Sequence, residues 1–473
     1  MGAVMTASVP AVVLAAPASG SGKTTLSTGL MGALRAAGHR VAPFKVGPDY
    51  IDPSYHAVAA GRVGRNLDPV LVGPERIAPL YQSGALGCDI AIIEGVMGLF
   101  DGRIVPGDQS PIAAGSTAQV AEILGAPVIL VVDGSGHGHT LAAVLQGLVG
   151  YCSSIRVAGV ILNRVGSERH ELVLREACER AGLAVFGVVR RDPAMALPSR
   201  HLGLVPAAEQ VQQGRDAVAA MIEVAAAELD LPAIVAAATI GHTGVQRWDP
   251  EDALGPHYSR PQYIPRIAVA GGPAFTFSYA EHAELLGAAG AEIITFDPLR
   301  DRLPQATDGV VIGGGFPEVH AAELSANEQL RQDVQRLARE GAPIHGECAG
   351  LLYLGTELDG MPMSGVLPIA GRFGKRLTLG YREGVSLADS SLHRLGDRVT
   401  GHEFHRTTVE PMPGAQIAPA YGWRLESAVV EGVVAGSVHA SYLHVHPASV
   451  PRAIGRFVSS AAATGSGRAH SAR

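Results

Sequence analysis

Two short stretches hold residue types whose spacing can do chemistry. Ala16 to Thr25 reads Ala-Pro-Ala-Ser-Gly-Ser-Gly-Lys-Thr-Thr, and His345 to Gly350 reads His-Gly-Glu-Cys-Ala-Gly. In the first, Gly20, Ser21, Gly22, Lys23, Thr24 and Thr25 follow an apolar run and open a helical pattern. Backbone N–H groups there can cradle phosphate, while Lys23 neutralises its charge and Thr24 ligates Mg²⁺. Pro17 stands where such a loop usually has its first glycine, so the entry must turn differently. In the second stretch Cys348 lies between an expected strand and the apolar Leu351–Leu354. Small neighbours permit a sharp turn that exposes the sulfur near a helix N-terminus. Together the two stretches point to an ATP-driven, amide-forming ligase that frees its own ammonia from glutamine.

Other residues fall where these two centres need them. Lys45-Val46-Gly47-Pro48-Asp49-Tyr50-Ile51-Asp52 follows the second apolar run, and Glu94-Gly95-Val96-Met97-Gly98-Leu99-Phe100-Asp101-Gly102 follows the third. Asp49, Asp52, Glu94 and Asp101 thus arrive at strand ends beside Lys23 and Thr24, suited to Mg²⁺, phosphate or an acidic substrate. A thiol nucleophile needs a base, and His439-Ala440-Ser441-Tyr442-Leu443-His444-Val445-His446 offers candidates. Gly313-Gly314-Gly315-Phe316-Pro317 can bring backbone N–H groups, chiefly those of Gly314 and Gly315, to an oxyanion near Cys348. His444-x-His446 has no cysteine or carboxylate run beside it that would complete a metal site. The histidines of Gly401-His402-Glu403-Phe404-His405 have no role legible from residue type.

The elements that must position these residues are legible in the hydropathy pattern. At 473 residues the chain exceeds the ~250–300 residues of a single hydrophobic core, so two domains are expected. Hydrophobic residues make up 47% and charged residues 17%, a balance suited to buried parallel sheets. No apolar run approaches the ~18 residues of a membrane span, and a net charge of −7 argues against nucleic acid or anionic lipid as partner. Four cysteines without CxxC spacing, and an N-terminus lacking a leader pattern, fit a reducing cytoplasm.

Buried strands are expected at 11–15, 41–45, 90–94, 128–133, 157–163 and 185–189, making a doubly wound P-loop α/β domain over 1–240. The turn-rich 241–265 reads as a linker. A second α/β domain over 266–460 has strands at 266–270, 292–296, 309–312 and 343–346, then shorter pieces. From about 461 the small, polar residues read as a disordered tail. A homodimer is the default assembly.

The P-loop, the Lys45–Asp52 loop and the Glu94–Gly102 loop together resemble the corrinoid a,c-diamide synthases, over almost the whole chain. The ATP domain of that family is similar to dethiobiotin synthetase, and its second domain is a flavodoxin-like class I glutamine amidotransferase. The resemblance implies ATP-dependent amidation of the a and c carboxylates of hydrogenobyrinate or cobyrinate in cobalamin biosynthesis. The partners it implies are ATP, glutamine and the corrinoid. It also implies that Asp49, Tyr50, Ile51 and Asp52 meet the substrate, that Thr24, Asp49, Glu94 and Asp101 meet metal or phosphate, and that Asn163 contacts adenine. By the same resemblance His444 is the base for Cys348. The glutamate usual two residues after that base is replaced by His446, leaving a Cys-His dyad as the safer expectation. The abundance of Ala, Gly, Val and Arg points to a GC-rich, aerobic source and so leans toward the metal-free hydrogenobyrinate of the aerobic route. The competing plans are a cobyric-acid-synthase-type amidotransferase and a partition-type ATPase, and the latter has no use for Cys348.

Overall fold

The computed structural model describes residues 8–191, 199–200, 203–204, 211–241 and 244–471, and the chain divides into two compact units, Met1–Trp248 and Asp249–Arg473. The first unit is built on a seven-stranded sheet. Its strands are β1 (Ala11–Ala15), β2 (Val41–Val46), β3 (Arg65–Leu67), β4 (Ile90–Glu94), β5 (Val128–Asp133), β6 (Val157–Val165) and β7 (Ala184–Arg190). Every pairing is parallel, in the order β3-β2-β4-β1-β5-β6-β7. β1, β2 and β4 are buried along their whole length, which explains their continuous apolar runs: helices cover both faces. Parallel strands carry all their C-terminal ends to one rim, where ligands of such sheets gather. Helix α1 (Lys23–Ala36) follows β1 and helix α2 (Asp52–Ala60) follows β2.

The second unit holds two sheets. Strands β8 (Arg266–Ala270), β9 (Glu292–Phe296), β10 (Gly309–Ile312), β11 (Ile344–Glu347), β12 (Val433–Ala435) and β13 (Val438–Ser441) form the first, in the order β9-β8-β10-β11-β13-β12. All pairs but the last are parallel. Leaving β12 aside, this is the flavodoxin-like order, as the sequence led one to expect. The second sheet is built on a long hairpin, Ile369–Ser386 with Arg398–Pro411. The short strand His444–Val445 adds to that hairpin antiparallel, pairing His402 with His444.

Two boundary expectations are corrected. The supposed linker 241–265 is largely structured: Asp249 caps a helix at Pro250–Leu254 by accepting from the Glu251 and Asp252 N–H groups at 2.9 and 3.4 Å. Asp-Pro-Glu-Asp is thus a helix start, with aspartate at the cap and proline at the first turn, rather than a bare turn. Tyr258 and Tyr263 then bond to Ala289 O at 2.9 Å and to Asp308 at 3.0 Å, tying the segment to the second unit.

The expected disordered tail from 461 is instead part of a helix, Pro451–Ser471. Composition missed its anchor, since Arg468 pairs with the buried Asp308 at 2.5 Å and with Glu340 at 3.0 Å. Replacing Arg468 with alanine leaves Asp308 only its bonds to Tyr263 and the Arg266 N–H. That loss is expected to cost about 1–2 kcal/mol of stability, to be read as a lowered midpoint in denaturant, with R468K recovering part of it. An unchanged midpoint would show that the helix end is not held this way.

Candidate functional site

The rim of the first unit gathers charge from three adjacent strands. Glu94 ends β4, which lies between β1 and β2, and its side chain is 1% exposed. The Glu94 Oε1 atom accepts from Thr24 Oγ1 at 2.6 Å, on the first turn of α1. Glu94 Oε2 lies 2.8 Å from Ser27 Oγ and 2.6 Å from His56 Nε2. Lys45 Nζ sits 3.8 Å from Glu94 and 3.5 Å from Asp52, and donates to Gly95 O at 2.9 Å. Asp52 in turn reaches Thr24 Oγ1 at 3.3 Å.

Charge balance follows from that packing. Burial opposes ionisation of Glu94, but Lys45 and His56 outweigh it and hold its pKa below the ordinary carboxylate range. For Asp52, burial and the neighbouring Asp49 and Glu94 push the pKa well above that range. Burial also opposes the Lys45 ammonium, yet Glu94 and Asp52 prevail and its pKa is raised. Lys23, buried and facing Lys45, has its pKa lowered. Two ammonium groups converging on one rim form a ready electrostatic seat for phosphate.

The remaining residues singled out from the sequence brace loops around this cluster. Lys23 Nζ donates to Met97 O at 2.6 Å, so the Glu94–Gly102 loop holds the P-loop lysine. Asn163 Nδ2 donates to Ser21 O at 2.9 Å, and Arg164 donates to Gly20 O at 2.9 Å, so the end of β6 props the phosphate loop. Asp49 accepts from the N–H groups of Ile51 and Asp52 at 2.7 and 3.0 Å, which starts α2. Asp101 accepts from Gly98 N–H at 2.8 Å, within its own loop. Of the four metal candidates, Thr24 and Glu94 are therefore brought into direct contact, whereas Asp49 and Asp101 serve their loops. Asp52, expected with the substrate, joins Thr24 and Glu94. Ile51 is 8% exposed, and Tyr50 and Thr25 are half-buried.

In the second unit Cys348 occupies the turn between β11 and the helix Ala349–Leu354, with φ 51° and ψ −97°. A non-glycine residue at positive φ is strained and persists only where its surroundings over-determine it. Two constraints do so here. Cys348 N–H donates to Ser441 O at 2.7 Å, and Gly350 lies so close to β10 that a Cβ would meet Ile312 O at 2.1 Å. Ala349 begins the helix and lies outside the positive-φ residues, so its methyl group is compatible with the turn.

His444 stands beside this sulfur. Its Nδ1 is 2.7 Å from Glu347 Oε1, which leaves Nε2 for Cys348. Burial opposes the imidazolium, but Cys348 and Glu347 outweigh it and push the His444 pKa up to about 10. Gly314 passes so close that a Cβ there would meet His444 Cε1 at 2.6 Å. Gly350 N–H donates to Gly313 O at 3.1 Å, tying the glycine turn to the nucleophile turn. Gly315 abuts Ala274 O, and Phe277 and Phe316 pack edge to face at 5.2 Å beside the base.

Glu347 fills the contact for which His446 had left no carboxylate, and it directly precedes the nucleophile. The available signal was a glutamate at the end of a buried strand, 97 positions upstream of His444 rather than two after it. His446 is instead packed at 4.2 Å against Tyr279 and lies 3.8 Å from Glu281. His405 stacks on Tyr442 at 3.7 Å and binds Thr407 O at 2.8 Å, and His402 lies 5.2 Å from the Tyr381 ring. His56 was also missed. Its four-residue spacing from Asp52 places both on one face of a helix.

Comparison with known proteins identifies both domains. Residues 12–205 match the model of the CobQ/CobB/MinD/ParA nucleotide-binding domain, and residues 266–451 match that of the CobB/CobQ-like glutamine amidotransferase domain. Hydrogenobyrinate a,c-diamide synthase of Mycobacterium tuberculosis is 57% identical over 454 residues, covering 96% of this chain and 98% of that protein. The protein of the same name from Streptomyces coelicolor is 54% identical, covering 95% and 97%. Cobyrinate a,c-diamide synthase of Gloeobacter violaceus is 42% identical, covering 95% and 96%. A nucleotide-binding rim, a cysteine elbow and end-to-end likeness to these proteins lead to one conclusion: the chain belongs to the family of corrinoid a,c-diamide synthases, which are glutamine-hydrolysing ligases.

Proposed function

We propose that this chain converts the a and c carboxylates of hydrogenobyrinate to amides, drawing nitrogen from glutamine and driving force from ATP. The observation that carries this reading is the presence of both chemistries in a chain 57% identical to a protein named for that reaction. The preference for the metal-free macrocycle is supported by relatives bearing the hydrogenobyrinate name at 57, 54 and 47% identity, against 42% for the first bearing the cobyrinate name.

A carboxylate is a poor acyl donor because hydroxide leaves badly, so the first unit transfers the γ-phosphoryl group of ATP to it, giving an acyl phosphate. Lys23 and Lys45 face the charge that develops. Thr24, Glu94 and Asp52 present hard oxygen donors at one point and fit Mg²⁺. Among the described residues no group of three or more His, Cys, Asp and Glu side chains could hold a metal ion by itself. When bound, the ion would neutralise charge on the transferring phosphoryl group.

In the second unit the Cys348 sulfur attacks the side-chain carbonyl carbon of glutamine. In this reading Gly314 and Gly315 offer backbone N–H groups to the oxyanion, and His444 gives a proton to the departing ammonia. Glu347 holds the imidazole in orientation throughout. Water then hydrolyses the thioester to glutamate. Ammonia attacks the acyl phosphate and releases phosphate, and it must arrive before taking up a proton from bulk water.

C348A is expected to lose glutamine-dependent amidation and keep ammonium-dependent amidation, whereas K23A should lose both; mass spectrometry of the corrinoid reads each exchange of OH for NH₂. A C348A protein dead with ammonium too, or a K23A protein active with it, would contradict the division of labour. Offered both macrocycles, the wild type should amidate hydrogenobyrinate faster than cobyrinate, and the opposite order would overturn the substrate assignment. E347Q should lower glutaminase turnover by about 10²–10⁴-fold, as expected when the group orienting a catalytic histidine loses its charge. Its ammonium-dependent rate should match the wild type, and a glutaminase rate near wild type would remove Glu347 from the mechanism.

A further inference from the structure

Glu94 is the carboxylate on which the nucleotide rim converges, and its two oxygens face different company. Oε1 meets Thr24 Oγ1 and Lys45 on the phosphate side. Oε2 points the other way, to Ser27 Oγ at 2.8 Å and His56 Nε2 at 2.6 Å. Ser27 has one proton, and Lys23 O competes for it at 2.7 Å, closer than the carboxylate. Its hydroxyl is therefore a shared donor. The His56 Nε2–H has no such competitor, and it makes the shorter contact.

His56 is 0% exposed, and its Nδ1 has no hydrogen-bond partner. An imidazole buried with one nitrogen unanswered is unfavourable by itself, and nothing on its own helix recovers that cost. What it gains is a charge-assisted bond to an ionised carboxylate. The orphan Nδ1 also selects the tautomer, because a proton there would be a buried donor with no acceptor. The proton belongs on Nε2, facing Glu94.

We propose that His56 is a positioning residue that locks the Glu94 carboxylate with Oε1 toward Thr24, and so sets the affinity of the rim for the divalent cation carried by the nucleotide. This rests on reading the first unit as a magnesium-nucleotide site. A carboxylate held at one oxygen cannot rotate its other oxygen away, so a hard ligand is in place before the cation arrives. Groups that hold metal ligands in this way typically change metal affinity by about 10–100-fold when removed.

The test is calorimetric titration of ATP into the full-length protein, once with Mg²⁺ and once with EDTA, using wild type, H56F and H56Q. Phenylalanine keeps the ring volume and removes the donor; glutamine keeps an N–H near the position of Nε2. H56F is expected to weaken ATP binding about 10–100-fold in Mg²⁺ and to leave it unchanged in EDTA, with H56Q returning most of the loss. If H56F does not fold, H56L carries the same comparison. A variant matching the wild type in Mg²⁺, or weakened equally in both buffers, would overturn the proposal and leave His56 a packing residue. Absence of Mg²⁺-dependent ATP binding by the wild type would instead remove the nucleotide reading, and this inference with it.

Discussion

An ionised carboxylate taken out of water costs several kcal/mol unless its lone pairs are answered, and the nucleotide-binding unit is organised around meeting that condition at Glu94. The answering groups come from three elements: Thr24 and Ser27 from α1, Lys45 from β2, and His56 from α2. They can meet only because β4 lies between β1 and β2 in the sheet. Strand order is here the condition for neutralising a buried charge. The lysine and hydroxyl that serve that neutralisation are also the groups a phosphate would meet, so the stability of the rim and its readiness for ligand have one origin.

The second unit solves a different problem, holding a reactive side chain in a conformation the backbone resists. Cys348 at φ 51° is kept there by Ser441 O on one side and by the close approach of Gly350 to β10 on the other. Cys348 itself belongs to the hydrophobic core of the unit, together with Ile344 of β11 and Leu351, Leu352 and Leu354 of the helix that follows. Precision comes from neighbours that cannot move, in line with the expectation that strained residues are held by the structure around them.

Long periodic segments were legible in the sequence. Six expected strands, 11–15, 90–94, 128–133, 266–270, 292–296 and 309–312, have the bounds of observed strands, because a buried parallel strand bounded by polar loops leaves an unambiguous pattern. The three residues of β3 were too short to leave one. Residues that lie inside a recognisable local motif, such as Lys23 and Cys348, could be placed from order along the chain. His56, Ser27 and Glu347 could not, because their roles arise from pairings across 38, 67 and 97 positions of sequence. Composition misled at the C-terminal helix, where one arginine outweighs a run of small polar residues.

The proposed nucleophile and its proposed base adjoin different sheets. Cys348 follows a strand of the parallel sheet, while His444 lies on a short strand held to the antiparallel hairpin through Gly401 and His402. The 2.7 Å bond from His444 to Glu347 thus bridges two layers that have separate backbone ladders. Only Tyr442 and Leu443 separate His444 from Ser441, the last residue of β13, so the chain itself also ties the imidazole to the parallel sheet. The reach of the imidazole to the sulfur is thus set by the packing of both layers and by neither ladder alone.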